Sequence, residues 1–173
     1  MAGFGKEQAM PDLTSLASAV ANLLKAANQT VAVAESSGGG LISAALVSIP
    51  GASAYYIGGG VIYTSAARRA LLRVGDEAMA GMRASTEPYA LLKARTVREQ
   101  LGATWGLAET GASGPTGNRY GDAAGHACMA VTGPMERVIT VETGKGDREA
   151  NMWTFTKAAL DLLEACLKEG QTK

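Results

Sequence analysis

The stretch Thr-Val-Ala-Val-Ala-Glu-Ser-Ser-Gly-Gly-Gly-Leu, residues 30–41, decides the fold class of this chain. Residues 30–34 form a short apolar run with β-branched side chains, which predicts a buried strand. Residues 35–40 are polar or glycine and indicate a loop, and the segment from Leu41 to Val47 predicts a short helix that ends near Pro50. A buried strand, a glycine-rich loop and a helix in this order are typical of an α/β fold.

The sequence on both sides of this stretch continues the alternation of helices and strands. Apolar residues recur at helical spacing from Leu13 to Leu24, and Asp12 is placed to cap that helix. Further elements are predicted as strands at Val61–Tyr63, Trp105–Glu109, His126–Val131 and Arg137–Thr143, and as helices at Ser65–Leu72, Asp76–Met82, Thr86–Leu101 and Asp147–Leu167. Because strands and helices alternate early and a hairpin comes late, we expect a three-layer α/β/α sandwich with a mixed, mostly parallel sheet.

The composition indicates one globular domain. The chain has 173 residues, of which 47% are hydrophobic and 18% charged, and we expect a single domain over residues 1–173 with its core at about 12–168. The formal net charge is zero, so the basic excess of a duplex nucleic-acid binder is missing. No apolar run is long enough to cross a membrane, and Met1–Met10 has no apolar core of a signal peptide. We therefore expect a cytoplasmic protein that binds neither nucleic acid nor membrane.

The cysteines and the histidine do not form a metal-binding pattern. Cys128 and Cys166 lie far apart in apolar surroundings, which is typical of two buried thiols in a reducing compartment rather than of a disulfide. His126 is the only histidine and falls inside a predicted strand, which favours a structural role over a catalytic one. We therefore expect neither a metal nor a cofactor.

Two glycine-rich loops follow predicted strands and are candidate ligand sites. Residues 35–40 lead directly into a helix, and residues 110–118 follow the strand that ends at Glu109. In an open α/β sheet, ligands gather at the carboxyl ends of the strands, and glycine lets a ligand approach the backbone. Neither loop carries a Walker motif or a dinucleotide-binding fingerprint. From the glycines alone, a phosphate site and a pair of tight turns both stay open.

Six motifs, taken together, resemble those of the CinA C-terminal domain family. Ala-Glu-Ser-Ser-Gly-Gly-Gly-Leu at residues 34–41 is similar to the family's Ala-Glu-Ser-Cys-Thr-Gly-Gly-Leu. Gly-Val-Ile-Tyr-Thr-Ser-Ala-Ala-Arg at residues 60–68 is similar to its Phe-Val-Thr-Tyr-Ser-Asn-x-Ala-Lys. The other four motifs lie at residues 49–54, 85–88, 110–115 and 146–148. Their order and spacing hold from about Leu13 to Leu167.

The resemblance implies an amidohydrolase that converts nicotinamide mononucleotide and water to nicotinate mononucleotide and ammonia. It also implies a small nucleotide as the substrate, no cofactor, and a homo-oligomer. Longer members of the family carry an extra N-terminal domain, whereas the resemblance here covers the C-terminal domain alone.

The resemblance also assigns roles to individual residues. Ser36 aligns with the family's nucleophilic serine, Tyr63 with a tyrosine near it, and Arg148 with a late arginine suited to a substrate phosphate. The implied substrate-binding residues are Glu35, Ser37, Gly39, Gly40, Thr110, Gly111, Ser113, Gly114 and Arg148. Plainer roles stay open, with Ser36 as a helix cap, Arg148 as a solvated side chain and the hydroxyl groups of residues 110–118 as turn contacts. Residues 118–122 replace the family's Lys-Pro-Val-Gly segment, so recognition by that loop is also open.

The chain departs from the family at the position of the catalytic base. There the family's lysine is replaced by Arg68, and arginine stays protonated, so it cannot readily accept the serine proton, although it is suited to binding an anion. One explanation is that another group supplies the base, with Glu35, Tyr63 and Glu109 as candidates. Another is that hydrolysis has been lost and a nucleotide- or partner-binding domain remains, with Arg68 and Arg148 as anion clamps. A third is that the substrate has changed.

Overall fold

The structure, a computed structural model, describes residues 12–170, so the expectations for residues 1–11 and 171–173 lie outside the described part. The helices are α1 (Leu13–Ala27), α2 (Leu41–Val47), α3 (Ser65–Leu71), α4 (Glu87–Leu101) and α5 (Arg148–Gly170). The strands are β1 (Val31–Glu35), β2 (Tyr56–Val61), β3 (Trp105–Ala112), β4 (His126–Thr132) and β5 (Arg137–Glu142). Two short 3₁₀ turns lie at Ala52–Ala54 and Glu77–Met79.

The five strands form one mixed sheet in the order β2-β1-β3-β4-β5. β1 pairs in parallel with both β2 and β3, whereas β4 pairs antiparallel with β3 and with β5. Four strands therefore point in the same direction and β4 runs the opposite way. The expected mixed sheet, with its late hairpin, is confirmed.

Helices cover both faces of the sheet, which confirms the three-layer sandwich. α1, α2 and α5 pack on one face, against side chains such as Val33, and α3 and α4 pack on the other, against side chains such as Ala34. Successive residues of a strand point to opposite faces, so each strand contributes to both cores. α4 lies very close to β3, because a Cβ atom added at Gly106 would be 2.1 Å from the carbonyl oxygen of Ala94.

The predicted helix starts are confirmed at α1 and α4. The side chain of Asp12 accepts a hydrogen bond from the backbone N–H of Thr14 at 3.0 Å. The hydroxyl oxygen of Thr86 accepts one from the backbone N–H of Tyr89 at 3.4 Å. Each cap satisfies a donor that has no partner within its helix, which fixes where the helix begins.

β2 begins earlier than the sequence predicts. The strand spans Tyr56–Val61, whereas Val61–Tyr63 was expected, and the three glycines at 58–60 lie inside it. A Cβ atom at Gly59 would be 2.4 Å from the carbonyl oxygen of Val33, so glycine permits the close approach of β2 to β1. The glycines are therefore strand residues rather than the loop before the strand.

Two further boundaries differ from the prediction. β3 continues to Ala112, because Thr110 and Gly111 pair with β4, so these two residues belong to the strand rather than to the loop. The helix expected over Asp76–Met82 is a single 3₁₀ turn at Glu77–Met79. The segment instead follows an irregular path along the edge of the cavity that opens at the ends of the strands.

The cysteines and the histidine occupy the kinds of environment that the sequence suggests. Cys128 and Cys166 are both buried free thiols, as predicted. The Nδ1 atom of His126 contacts a carboxylate oxygen of Glu142, and its Nε2 atom lies 2.9 Å from the carbonyl oxygen of Ser85. Within the described residues, no helix is both long and apolar enough to cross a membrane.

Candidate active site

A cavity of about 610 Å³ opens where β1, β2 and β3 end. Ligands bind at this edge in open α/β sheets, and the volume suits a small-molecule site. Five chain segments line it, namely Ser36, residues 62–68, residues 79–89, the end of β3 at residues 110–111, and the loop at residues 118–120. The larger or polar side chains among them are Ser36, Tyr63, Thr64, Ser65, Arg68, Met79, Met82, Arg83, Ser85, Tyr89, Thr110, Asn118, Arg119 and Tyr120.

Ser36 lies on the cavity wall directly after β1. It does not cap α2, because that helix begins at Leu41 and its N-cap residue is Gly40, which makes no side-chain cap. The carbonyl oxygen of Ser36 accepts a hydrogen bond from the N–H of Gly39 at 3.0 Å, which closes a tight turn. Within residues 12–170, the Ser36 hydroxyl group has no hydrogen-bond partner. It is therefore free to meet a ligand.

The carboxylate of Glu109 holds the Ser36 loop from the side of the sheet opposite to the cavity. Its Oε2 atom accepts hydrogen bonds from the backbone N–H groups of Ser36 at 3.0 Å and Gly38 at 2.8 Å. The hydroxyl group of Ser37 donates to Oε1. A second tie comes from Ser113, whose hydroxyl donates to the carbonyl oxygen of Ser37 at 2.8 Å. The loop thus has a fixed conformation that places Ser36 at the cavity.

Glu35 points away from the cavity, like the Glu109 side chain. Its Oε1 atom accepts a hydrogen bond from the N–H of Ser43 at 2.5 Å, and its Oε2 atom has no partner among residues 12–170. Burial raises the pKa of Glu35 to about 7, against the opposing effect of the Ser43 hydrogen bond. Two of the candidate bases, Glu35 and Glu109, therefore do not line the cavity, because residues at alternate positions of a strand share a face and these two share the face of Val33 and Leu107.

Tyr63 lies on the cavity wall and Arg148 supports it from outside. The Nη2 atom of Arg148 donates a hydrogen bond to the hydroxyl oxygen of Tyr63 at 2.9 Å. Its Nη1 atom donates to the carbonyl oxygen of Gly114 at 2.5 Å. Arg148 therefore joins the segment after β2 to the loop after β3, and it is not a lining residue.

The guanidinium group of Arg68 is buried and already bonded within the chain. Its Nη1 atom donates to the carbonyl oxygens of Val74 at 2.8 Å and Gly75 at 2.6 Å. Its Nη2 atom forms an ion pair with Asp76 at 2.5 Å. These bonds fold the segment after α3 along the cavity, where Met79 also lies. Arg68 thus lies on the wall but does not offer a free guanidinium fork.

Arg83, a second arginine that is held by an ion pair, forms another part of the cavity wall. Arg83 makes a bidentate ion pair with Asp122, with N–O distances of 2.6 and 2.9 Å. The hydrogen bond from Arg83 lowers the pKa of Asp122 to about 2, and a hydrogen bond from Asn118 adds to this effect. Arg119 lines the cavity beside them, and within residues 12–170 it has no carboxylate partner. Because no acidic side chain lines the cavity in the described part of the chain, the charge of Arg119 is available to an anionic ligand.

A model of the CinA C-terminal domain family matches residues 13–167 of the chain. The chain belongs to this family. It is 41% identical over 155 residues to a CinA-like protein of Gloeobacter violaceus, and the aligned part covers 88% of this chain and 36% of that protein. It is 35% identical over 166 residues to a CinA-like protein of Anaeromyxobacter dehalogenans, and the aligned part covers 96% of this chain and 39% of that protein. The chain thus spans little more than a third of the length of these relatives.

Solved structures of CinA proteins have the same fold. A CinA superfamily protein of Klebsiella pneumoniae 700603 superposes with a TM-score of 0.85 at 27% identity, over 92% of this chain and 99% of that one. The competence/damage inducible protein CihA of Agrobacterium tumefaciens superposes with a TM-score of 0.82 at 28% identity, over 97% of this chain and 99% of that one. The three-layer sandwich of this CinA domain is therefore the fold of the family.

In this CinA domain, the residues that the sequence proposes for the site divide into two groups. Those on the cavity wall are Ser36, Tyr63, Arg68, Thr110 and Gly111. Those behind the wall, which the structure does not bring to the cavity, are Glu35, Ser37, Gly39, Gly40, Ser113, Gly114 and Arg148. The second group forms the hydrogen bonds and tight turns that support the first. Within residues 12–170, no cluster of three or more His, Cys, Asp or Glu side chains can hold a metal ion.

Three important residues of this CinA domain were missed at the sequence level. Arg83 lies on the cavity wall through its pair with Asp122. The side-chain amide of Asn151 donates to the carbonyl oxygens of Ser113 at 2.7 Å and Lys145 at 2.8 Å, and so ties the loop after β3 to the start of α5. Lys93 is buried within α4 next to the Ser36 loop. The signal for Lys93 was available, because it occupies a position on the apolar face of the α4 pattern.

Proposed function

We propose that this CinA domain hydrolyses the carboxamide group of nicotinamide mononucleotide, with Ser36 as the nucleophile. The observation that carries the proposal is that the Ser36 hydroxyl has no partner within residues 12–170 and lies on the wall of the cavity where the sheet strands end. A serine in this place can reach a ligand bound in the cavity. The surrounding loop is held rigid by Glu109, which is what a nucleophile requires to meet its target in a fixed geometry.

The chemistry of the cavity wall supports a small anionic aromatic ligand. Arg119 provides a positive charge without a carboxylate partner in the described chain, which suits a phosphate group. The exposed ring of Tyr63 provides an aromatic face on the same wall, and a positively charged pyridinium ring is attracted to such a face. A mononucleotide of nicotinamide presents both features at once.

The reaction needs a proton acceptor and a group that stabilises an oxyanion. The Ser36 oxygen forms a bond to the carboxamide carbon, the C–N bond breaks, and the serine proton passes to the leaving nitrogen, which departs as ammonia. Water then cleaves the ester and restores the hydroxyl group. Thr110 is suited to stabilising the oxyanion, because its oxygen accepts a hydrogen bond from the N–H of Ser85 at 3.2 Å and its own proton is free.

Tyr63 is our candidate for the group that passes the proton. Its oxygen accepts a hydrogen bond from Arg148, so its O–H points away from the guanidinium group. Tyr63 takes this role because Arg68 cannot accept a proton and neither Glu35 nor Glu109 lies on the wall.

The replacement of the family's lysine by Arg68, and the bonds that Arg68 makes within the chain, favour a second function. This function is binding of a nucleotide without hydrolysis. Arg68 occupies the position of the family's lysine, and both of its terminal nitrogens are bonded to residues 74–76. A domain in which this lysine has been replaced by a bonded arginine retains the cavity and its charges. In that function, Arg119 rather than Arg68 or Arg148 contacts the phosphate.

Ammonia release from nicotinamide mononucleotide separates the two functions. Hydrolysis predicts release by the wild type and a loss of at least about a thousandfold in Ser36→Ala. Ser18→Ala, an exposed hydroxyl on α1, serves as the matched control and keeps full activity. Binding without hydrolysis predicts no ammonia from the wild type, together with a rise in melting temperature when the nucleotide is added. Neither ammonia nor a rise in melting temperature would reject both.

A further inference from the structure

Lys93 is a buried amine next to the Ser36 loop, and neither proposed function uses it. Its side chain is among the largest fully buried ones in the chain, with 1% of the residue exposed. The Nζ atom donates hydrogen bonds to the carbonyl oxygen of Glu109 at 2.8 Å and to that of Glu35 at 3.3 Å. The Nζ atom also lies 5.6 Å from the centre of the Tyr89 ring, and Tyr89 lines the cavity. The amine is therefore just behind the wall.

The two carbonyl groups mark the point where β1 and β3 separate. The parallel ladder between these strands ends with the pair Ala34 and Ala108. One residue further on, Glu35 and Glu109 are no longer paired in that ladder, and the bonds from Lys93 connect them instead. The residues that follow are Ser36 and Thr110, both on the cavity wall. Lys93 thus bridges the gap from which the cavity opens.

The carboxylate of Glu109 holds the same point from the other face of the sheet. It accepts hydrogen bonds from the N–H groups of Ser36 and Gly38, whereas Lys93 binds the carbonyl oxygens from the α4 side. A buried charge is costly unless an opposite charge and hydrogen bonds accompany it, and this arrangement supplies both. Burial lowers the pKa of Lys93 to about 8, against the opposing effect of Glu109 and Glu35, so the amine still carries its proton near pH 7.

We propose that Lys93 is a positioning residue for Ser36, which fixes the spacing between the ends of β1 and β3 through its two carbonyl bonds. Ser36 is the residue next to one of these carbonyl groups, so any change in the spacing moves its hydroxyl group relative to Thr110 on the other strand. A displacement of about 1 Å at a nucleophile can lower the rate by about a hundredfold. The kinetic consequence rests on the proposed hydrolysis, whereas the structural consequence does not.

Hydrogen exchange in Lys93→Met tests the structural consequence without any turnover. Methionine fills a similar volume but donates no hydrogen bond. We expect the amides of Ser36 and Gly38 to exchange at least about tenfold faster in the variant, while that of Leu107 in the middle of β3 is unchanged. Arg95→Met, at an exposed position of the same helix, is the control and leaves all three rates unchanged. Unchanged rates at Ser36 and Gly38, or an equal increase at Leu107, would overturn the proposal.

Chemical rescue tests whether the ammonium group itself is required. Lys93→Ala leaves a space of the length of n-propylammonium, and we expect this ion to restore slow exchange at Ser36 and Gly38, with 1-propanol as a neutral molecule of the same length. Rescue by the alcohol to the same extent would overturn a role for the charge.

If the wild type releases ammonia, we expect kcat in Lys93→Met to fall about 10- to 100-fold and KM to change less than about threefold. A rise in KM alone would also overturn the proposal, whereas no ammonia from the wild type rejects only the hydrolysis and leaves the exchange result to decide.

Discussion

Arg148 donates a hydrogen bond to the hydroxyl oxygen of Tyr63 across 2.9 Å, although 85 residues separate them in the sequence. The same guanidinium group binds the carbonyl oxygen of Gly114. Together the two bonds link the start of α5 to the segment after β2 and to the loop after β3. The bond to Tyr63 also sets the direction in which its O–H group can point. The arginine that the sequence suggests for the substrate phosphate therefore contacts another residue of the site instead.

The coupling between these two residues gives the first prediction. Tyr63→Phe removes the hydroxyl group, and Arg148→Met removes its partner. We expect each to lower kcat for ammonia release by about 10- to 100-fold, since each disturbs the same proton-passing group. The double variant should lose little more than either single variant, because the two residues act as a unit. Losses that multiply in the double variant would contradict this coupling.

The cavity charge gives a prediction about the ligand. Arg119→Gln should weaken binding of nicotinamide mononucleotide about tenfold or more, because a hydrogen bond to a charged group contributes about 1.5–3 kcal/mol. Nicotinamide riboside, which lacks the phosphate, should bind the wild type and the variant equally. Titration calorimetry measures both. Equal loss for the two ligands would show that Arg119 does not contact the phosphate.

The bonds of Arg68 give a prediction about stability. Arg68→Met leaves the carbonyl groups of Val74 and Gly75 without their donor, so we expect a loss of about 2–4 kcal/mol in the free energy of unfolding. Arg69→Met is the control, because that side chain is half exposed and also pairs with Asp76. Urea unfolding measures both variants. A loss below about 1 kcal/mol in Arg68→Met would contradict the role assigned to these bonds.

The raised pKa of Glu35 gives a prediction about pH. Its pKa is about 7 in the folded protein, whereas the ordinary value of 4.5 applies to the unfolded chain. The folded state therefore holds this proton more tightly than the unfolded state does. The stability from this group is therefore complete below about pH 4.5 and is lost as the pH rises to about 7, a change of about 3 kcal/mol. The difference in unfolding free energy between wild type and Glu35→Gln should change by that amount between pH 4.5 and 8. A difference that does not vary with pH would contradict the assignment.

The close contact between α4 and β3 gives a packing prediction. A Cβ atom at Gly106 would be 2.1 Å from the carbonyl oxygen of Ala94, a backbone atom that cannot move without the helix. Gly106→Ala should therefore destabilise the protein by about 1–3 kcal/mol or more. Gly170→Ala, where the added atom meets Trp105 at an ordinary distance of 3.9 Å, is the matched control. Thermal unfolding measures both, and equal melting temperatures would contradict the close packing.

Local sequence was enough to predict the sandwich and the place of Ser36. The strand before Ser36, the glycines after it and the caps Asp12 and Thr86 all act over a few residues, so their patterns can be recognised in one chain. The boundary of β2 was wrong for the same reason, because Gly59 is in a strand only through the close approach of Val33, which no local pattern shows.

The supporting residues of the site could not be found in this way. Glu109 and Glu35 were candidates for the base, but whether a strand residue points to one face or the other depends on the register of the whole strand. Lys93 lies on the apolar face of α4, which marks it as unusual, but that position alone does not reveal what the amine contacts. Its partners are backbone carbonyl groups, which have no signature in the sequence. The expected homo-oligomer stays a prediction.

The central claim is that Ser36 attacks the carboxamide and becomes acylated for part of the reaction cycle. Rapid acid quenching of the wild type with nicotinamide mononucleotide, followed by mass spectrometry of the peptide that contains Ser36, tests it most directly. We predict the added mass of the nicotinate mononucleotide acyl group on Ser36, and its absence in Ser36→Ala along with the absence of ammonia. Ammonia release by Ser36→Ala at the wild-type rate would contradict the claim.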